Sequence, residues 1–134
     1  MLWTEMLVAP GRFDKTLQYA KERSQFGRPI GKFQTIRHKF AQMATDIEAA
    51  RQLTYATAQR WADGEYPVRG ISMTKLITTQ VAWRVADECL QIHGGAGVMR
   101  EYEIERMWRD ARIGRIGGGT DEIVLDVIGR SYGL

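Results

Sequence analysis

The sequence predicts an all-α fold, an up-down four-helix bundle with short additional C-terminal helices. Three observations predict it. Apolar residues recur three and four apart with no sustained alternation, proline occurs only three times in 134 residues, and the periodic stretches are separated by short turns rich in glycine or proline. An apolar share of 44% with 26% charged residues is that of an ordinary globular domain with a substantial core.

Residues 1–9 form an apolar run that Pro10-Gly11 closes. Proline inside a helix removes a hydrogen bond and clashes with the preceding turn, so the first confident helix runs from about Gly11 to Ser24, with Phe13, Leu17 and Ala20 as its buried stripe. Two glycines and a proline make residues 25–31 a turn. A long helix from about Phe33 to Ala62 places Phe33, Ile36, Phe40, Met43, Ile47 and Ala50 on one face. Asp63-Gly64 and Pro67 end it. The next helix, about Val68 to Ile92, has a broad stripe around Met73, Ile77, Val81, Val85 and Cys89, which implies burial on more than one side. Glu103 to Ile113 is a short helix. The last, about Asp121 to Ser131, is expected to bury Ile123, Val124, Val127 and Ile128, with Thr120 as its cap and Asp121 and Glu122 suited to its positive end.

Several functional classes are poorly supported. No run approaches the ~18 apolar residues of a membrane span, and the first residues lack the basic and apolar regions of a signal peptide. A lone Cys89 cannot form an internal disulfide, which fits a cytoplasmic location. Net charge is only +3, and no stretch interleaves aromatics with basic residues, so nucleic acid is not an expected partner. Cys89 and His93 share a helix face, but two ligands do not make a zinc site, and no metal is expected. A buried structural thiol explains Cys89 better than a nucleophile does.

The most unusual stretch is Gln91 to Ile123, where the clusters Gly94-Gly95-Ala96-Gly97 and Gly117-Gly118-Gly119 bracket an arginine-rich helix. Glycines in such density allow positive φ and close approach of a ligand to the main chain. Arg106, Arg109 and Arg112 lie three apart and admit two readings: a solvated face paired with Glu103, Glu105 and Asp110, or a phosphate site formed with the glycine turns. The first glycine cluster follows a helix with no βαβ unit around it, so it is not a dinucleotide fingerprint of the Rossmann kind.

Five segments taken together, Tyr19 to Ile30, Phe33-Gln34, Gln91 to Gly97, Arg109 to Ile113 and Gly119-Thr120, closely resemble the C-terminal helical domain of the acyl-CoA dehydrogenases. The resemblance covers about Gly11 to Arg130 in the family's order and spacing. It implies an FAD enzyme that oxidises the Cα–Cβ bond of an acyl-CoA and passes electrons to an electron-transfer flavoprotein. By position, Arg23 and Gln34 match residues that contact the FAD of a neighbouring subunit, with Phe26 beside them. Gln91, Gly94 and Gly95 match the segment that holds the adenosine half, and Thr120 and Glu122 match positions at the FAD near the last turn. Residues 11–134 are thus expected to form the family's C-terminal domain, and residues 1–10 a truncated or rebuilt start of its first helix.

The resemblance also implies a vacancy. The carboxylate base that removes the α-proton in many members stands two residues before the threonine of the last turn, and here that position is Gly118. The alternative position of other members would precede Met1, and Glu5 falls about two turns too late. The expectation is a C-terminal domain with no catalytic residue of its own, inactive alone and completed by a homo-oligomer or by another chain. A non-catalytic helical oligomerisation module, motivated partly by Trp3 and Leu7, and a basic nucleotide-binding or nucleic-acid-binding domain stand as alternatives.

Overall fold

The computed structural model describes residues 10–134, so the readings of Trp3, Glu5 and Leu7 lie outside the described residues. Among the described residues five α-helices follow one another: α1 (Pro10–Glu22), α2 (Gln34–Ala62), α3 (Val68–His93), α4 (Glu103–Ile113) and α5 (Asp121–Arg130). The all-α expectation holds, and each helix boundary lies within two residues of its expected place. α3 is the central element, since α1, α2, α4 and α5 all pack against it.

The helix ends follow from local chemistry. Gly64 takes up a φ of +90° just past α2, and Gly94 a φ of +59° at the end of α3, conformations that cost a residue with a Cβ about 1–2 kcal/mol. α4 opens with Glu103 and Glu105 and closes with Arg112, matching the charge at each end of its dipole. In α5 the Thr120 hydroxyl accepts a long hydrogen bond, 3.4 Å, from the Ile123 N–H.

The core runs between α1, α2 and α3 around Ala20, Met43, Ala50, Val81, Val85, Cys89 and Ile92, and Ile104 of α4 joins it. Phe13 and Phe40 meet edge to face there, with ring centroids 5.4 Å apart. Cys89 is fully buried and its thiol donates to the Met43 sulfur at 3.9 Å, as the structural reading expects.

Two expectations need correction. The turn at residues 25–31 holds a small antiparallel hairpin, β1 (Ser24–Gln25) paired with β2 (Arg28–Pro29), followed by a 3-10 turn, Ile30–Lys32. α5 buries only Val124 of the four residues assigned to its core: Ile123 is 59% exposed, Val127 is exposed and Ile128 is half-buried. α5 packs on α3 through one narrow face, so its remaining apolar side chains stay in solvent.

Candidate functional site

α1 ends where α3 ends, and the contact between them builds a cleft. The Tyr19 ring stacks on the His93 ring at 4.2 Å with 21° between planes, and the Tyr19 hydroxyl donates to the His93 carbonyl at 3.3 Å. His93 is buried, with its Nδ1 2.8 Å from the Cys89 carbonyl oxygen. That contact places a proton on Nδ1, because a carbonyl can only accept. Above this pair lies a cleft of about 430 Å³, lined on one side by Arg23, Gln25 and Ile30 and on the other by Ile92, Gly94, Gly95 and Tyr102.

Three of the residues expected to touch a cofactor therefore meet: Arg23, Gly94 and Gly95 share one cleft. Arg23 is exposed and forms no ion pair among the described residues. A Cβ added at Gly94 or Gly95 would meet nothing within 4 Å, so packing does not require glycine at these positions. Gly94 is needed for its positive φ, whereas Gly95 has an ordinary one. Gly97 is different: its Cβ would lie 2.5 Å from the Leu90 carbonyl oxygen, so only glycine lets the 3-10 turn Gly94–Val98 fold back onto α3. Gln91 is exposed on the last turn of α3 and its carbonyl accepts from the Gly94 N–H.

Phe26 and Gln34 stand apart from the cleft lining. Phe26 and Gly27 are the two turn residues of the hairpin, at φ of +51° and +78°. Both central residues of a two-residue turn of this kind need positive φ, a role suited to Asn or Gly and strained for a bulky aromatic. Phe26 is nonetheless 93% exposed, touching Phe33 edge to face at 6.3 Å. A strained, solvent-facing aromatic is a candidate contact for a partner rather than a core element. Gln34 is exposed at the first position of α2.

Thr120 and Glu122 sit towards the opposite end of α3. Lys75 donates to the Gly119 carbonyl, which anchors the second glycine cluster there. Arg115 grips the Asp121 carboxylate at 2.6 and 2.7 Å and Gln80 reaches the same oxygen at 3.4 Å. Asp121 is 6% exposed, and this pairing fixes the turn against α3. Lys75 and His93 are eighteen positions apart on α3, about 27 Å at the ~1.5 Å rise of a helix, so the two glycine clusters form separate patches.

Gly118 has a φ of +66° and open space where a Cβ would be. Glu122 does not replace a base at this turn. It is exposed, and its own main-chain N–H and the Thr120 hydroxyl hold its carboxyl below the usual value. A proton-abstracting carboxylate needs the reverse, a dry site that raises its pKa. The arginines of α4 settle into the solvated reading: Arg106 pairs with Glu103, Arg109 with Glu105, and Arg112 lies 5.8 Å from the Trp83 ring centre. No group of three or more His, Cys, Asp or Glu among the described residues could hold a metal ion.

The bundle thus displays an aromatic and cationic cleft beside one glycine turn and an open Gly118 at the other. The chain belongs to the acyl-CoA dehydrogenase family: the family model described as acyl-CoA dehydrogenase, C-terminal domain, matches residues 1–133. It is 43% identical over 123 residues to the probable acyl-CoA dehydrogenase YngJ of Bacillus subtilis, covering 92% of this chain and 32% of that protein. A caffeyl-CoA reductase-Etf complex subunit of Acetobacterium woodii is 40% identical, with 90% of this chain and 32% of that protein covered. Among solved structures, an acyl-CoA dehydrogenase from Geobacillus kaustophilus superposes with a TM-score of 0.93 at 36% identity, over 98% of this chain and 36% of that one. The FAD complex of PigA superposes with a TM-score of 0.90 at 30% identity, over 99% and 34%. The chain thus spans about a third of the length of the relatives it matches.

Proposed function

We infer that this chain supplies part of the FAD site and of the oligomer interface in an acyl-CoA dehydrogenase-like oxidoreductase. The complete enzyme would carry out α,β-dehydrogenation of an acyl-CoA thioester in the cytoplasm and pass electrons to an electron-transfer flavoprotein. The observation that carries this reading is the meeting of Arg23 with Gly94 and Gly95 across one cleft. FAD, when bound, would be the hydride acceptor of such a reaction. The residues of this chain bind and orient it. The Arg23 guanidinium offers a fork to a phosphate, the open main chain at Gly94 and Gly95 permits close approach, and Tyr19, Ile30, Ile92 and Tyr102 offer aromatic and apolar surface to a flat ring in a cleft of mixed polarity.

The separation of the two glycine clusters supports completion by a second chain or domain. Phe26 and Gln34 on one side and Thr120 and Glu122 at the other end of α3 would then contact groups that this chain does not hold against Arg23. No carboxylate stands at Gly118, so the chain alone is expected to dehydrogenate nothing. A second reading, a non-catalytic oligomerisation module, draws on the exposed Ile113 of α4, Ile116 of the turn that follows it, and Ile123 and Leu125 of α5.

Fluorescence and calorimetric titration of the chain with FAD, ADP and FMN tests the reading. FAD and ADP should bind and compete, and FMN should not. Binding of FMN without ADP would contradict it, and a stable oligomer that binds none of the three would favour the second reading.

A further inference from the structure

A second cleft, of about 570 Å³, lies between the end of α1, β2, the 3-10 turn and the start of α2, and shares no lining residue with the first. The segment Pro29 to Gly31 is the partition: Ile30 faces the first cleft, and Pro29 and Gly31 line the second. Its floor is apolar, made by Leu17, Ala20, Pro29 and Phe40. Gly31 sets how close the walls come, since a Cβ there would sit 3.0 Å from the Ala20 carbonyl oxygen.

The polar lining is of one sign. Lys21, Lys32 and Arg37 line the cleft, and no Asp or Glu does. None of the three forms an ion pair among the described residues, and the first turn of α2, from which Arg37 comes, has no acidic residue to neutralise it. The neighbouring Glu22 is engaged with Gln18 instead. Three exposed cations, unpaired among the described residues, around an apolar floor, in a volume within the ~300–1,000 Å³ of small-molecule sites, match one ligand chemistry. The floor takes a hydrocarbon body and the rim takes a negative head.

We propose that this cleft binds a small amphipathic carboxylate, its aliphatic or aromatic body on Leu17 and Phe40 and its carboxylate between Lys32 and Arg37. The site stands on this chain's own residues and does not depend on FAD binding in the other cleft.

Octanoate is the probe, titrated into the full chain at low salt and followed by 1H–15N chemical shifts, with 1-octanol and inorganic phosphate as controls. Octanoate should give saturable shifts at Ala20, Gly31 and Arg37. Octanol and phosphate, which each supply half of the chemistry, should bind at least tenfold more weakly. Lys32→Ala and Arg37→Ala should each weaken octanoate about threefold and together about tenfold, the size expected of partly solvated charge contacts, with unchanged helical content. Added salt should weaken it further. Equal binding of octanol, no effect of the double variant, no saturation, or shifts at Gly94 to Ala96 in place of Gly31 would each overturn the proposal.

Discussion

Tyr19 of α1 and His93 of α3 are seventy-four positions apart, yet their rings stack at 4.2 Å, and this contact closes the inner end of the Arg23 cleft. The pair also ties the first helix to the end of the central one. Replacing Tyr19 by Ala should therefore cost about 2 kcal/mol, combining lost aromatic contact and lost apolar burial, and should weaken FAD binding with it. Tyr19→Phe loses only the long hydroxyl contact, and should cost less than about 1 kcal/mol and keep most of the affinity. Urea denaturation of the two variants, beside their FAD titrations, checks the difference.

Gly95 and Gly97 are two positions apart with opposite expected roles. Gly97→Ala forces a Cβ to 2.5 Å from backbone at Leu90 and should destabilise the fold by about 2 kcal/mol or more. Gly95→Ala meets open space at an ordinary φ and should leave stability within about 0.5 kcal/mol while weakening FAD. Thermal melts and titrations of both variants separate a folding glycine from a binding glycine. Loss of stability in Gly95→Ala would remove that distinction.

Phe26 holds a left-handed conformation that asparagine adopts more easily, particularly before Gly27. Phe26→Asn should raise stability by about 1 kcal/mol, by relief of that strain. If the exposed ring is a partner contact, the same variant should also form less oligomer in sedimentation velocity. Higher stability with unchanged assembly would leave Phe26 without that role.

The pH response has two limbs. Burial pushes the Cys89 thiol above its ordinary value near 9.0, so its contribution is complete below that value and is lost as pH rises through the folded pKa. Glu122 has the opposite sign: its carboxyl is held below the ordinary 4.5, so its contribution is present above that value and is lost as pH falls. Denaturation midpoints should therefore decline above about pH 9 and below about pH 4.5. Cys89→Ala should flatten the first limb, whereas Glu122→Gln should only shrink the second, because the Gln52 amide holds the Glu48 carboxyl and Lys15 the Glu103 carboxyl below the ordinary value as well. Unchanged limbs in these variants would assign the response to other groups.

Much of the fold could be read from punctuation. Pro10, Asp63-Gly64, Gly94 and Thr120 mark helix ends chemically, which is why boundaries deduced from them lie so near the observed ones. The hairpin was less legible, since two strands of two residues cannot display an alternating pattern. The burial of α5 departs from its apolar pattern for a related reason: an apolar run states that residues avoid water, not that this chain supplies the surface to cover them. Arg23, Gly94 and Gly95 stand out in the sequence as candidates, whereas nothing in it marks Tyr19, His93 and Tyr102 as cleft walls. No local pattern announces a stack between residues so distant in sequence. Arg12 and Thr16 are also buried in α1, beside the apolar stripe that periodicity picked out.

The central claim is that Arg23 and the Gly94-Gly95 turn form a binding wall for FAD, and Arg23→Ala tests it most directly. FAD dissociation constants of the wild type and of this variant should be measured together, with far-UV circular dichroism to show that helical content is unchanged. Loss of a guanidinium fork to a phosphate should weaken binding about tenfold or more, as expected for a charge-assisted hydrogen bond of about 1.5–3 kcal/mol. Equal affinity in the two proteins would contradict the account.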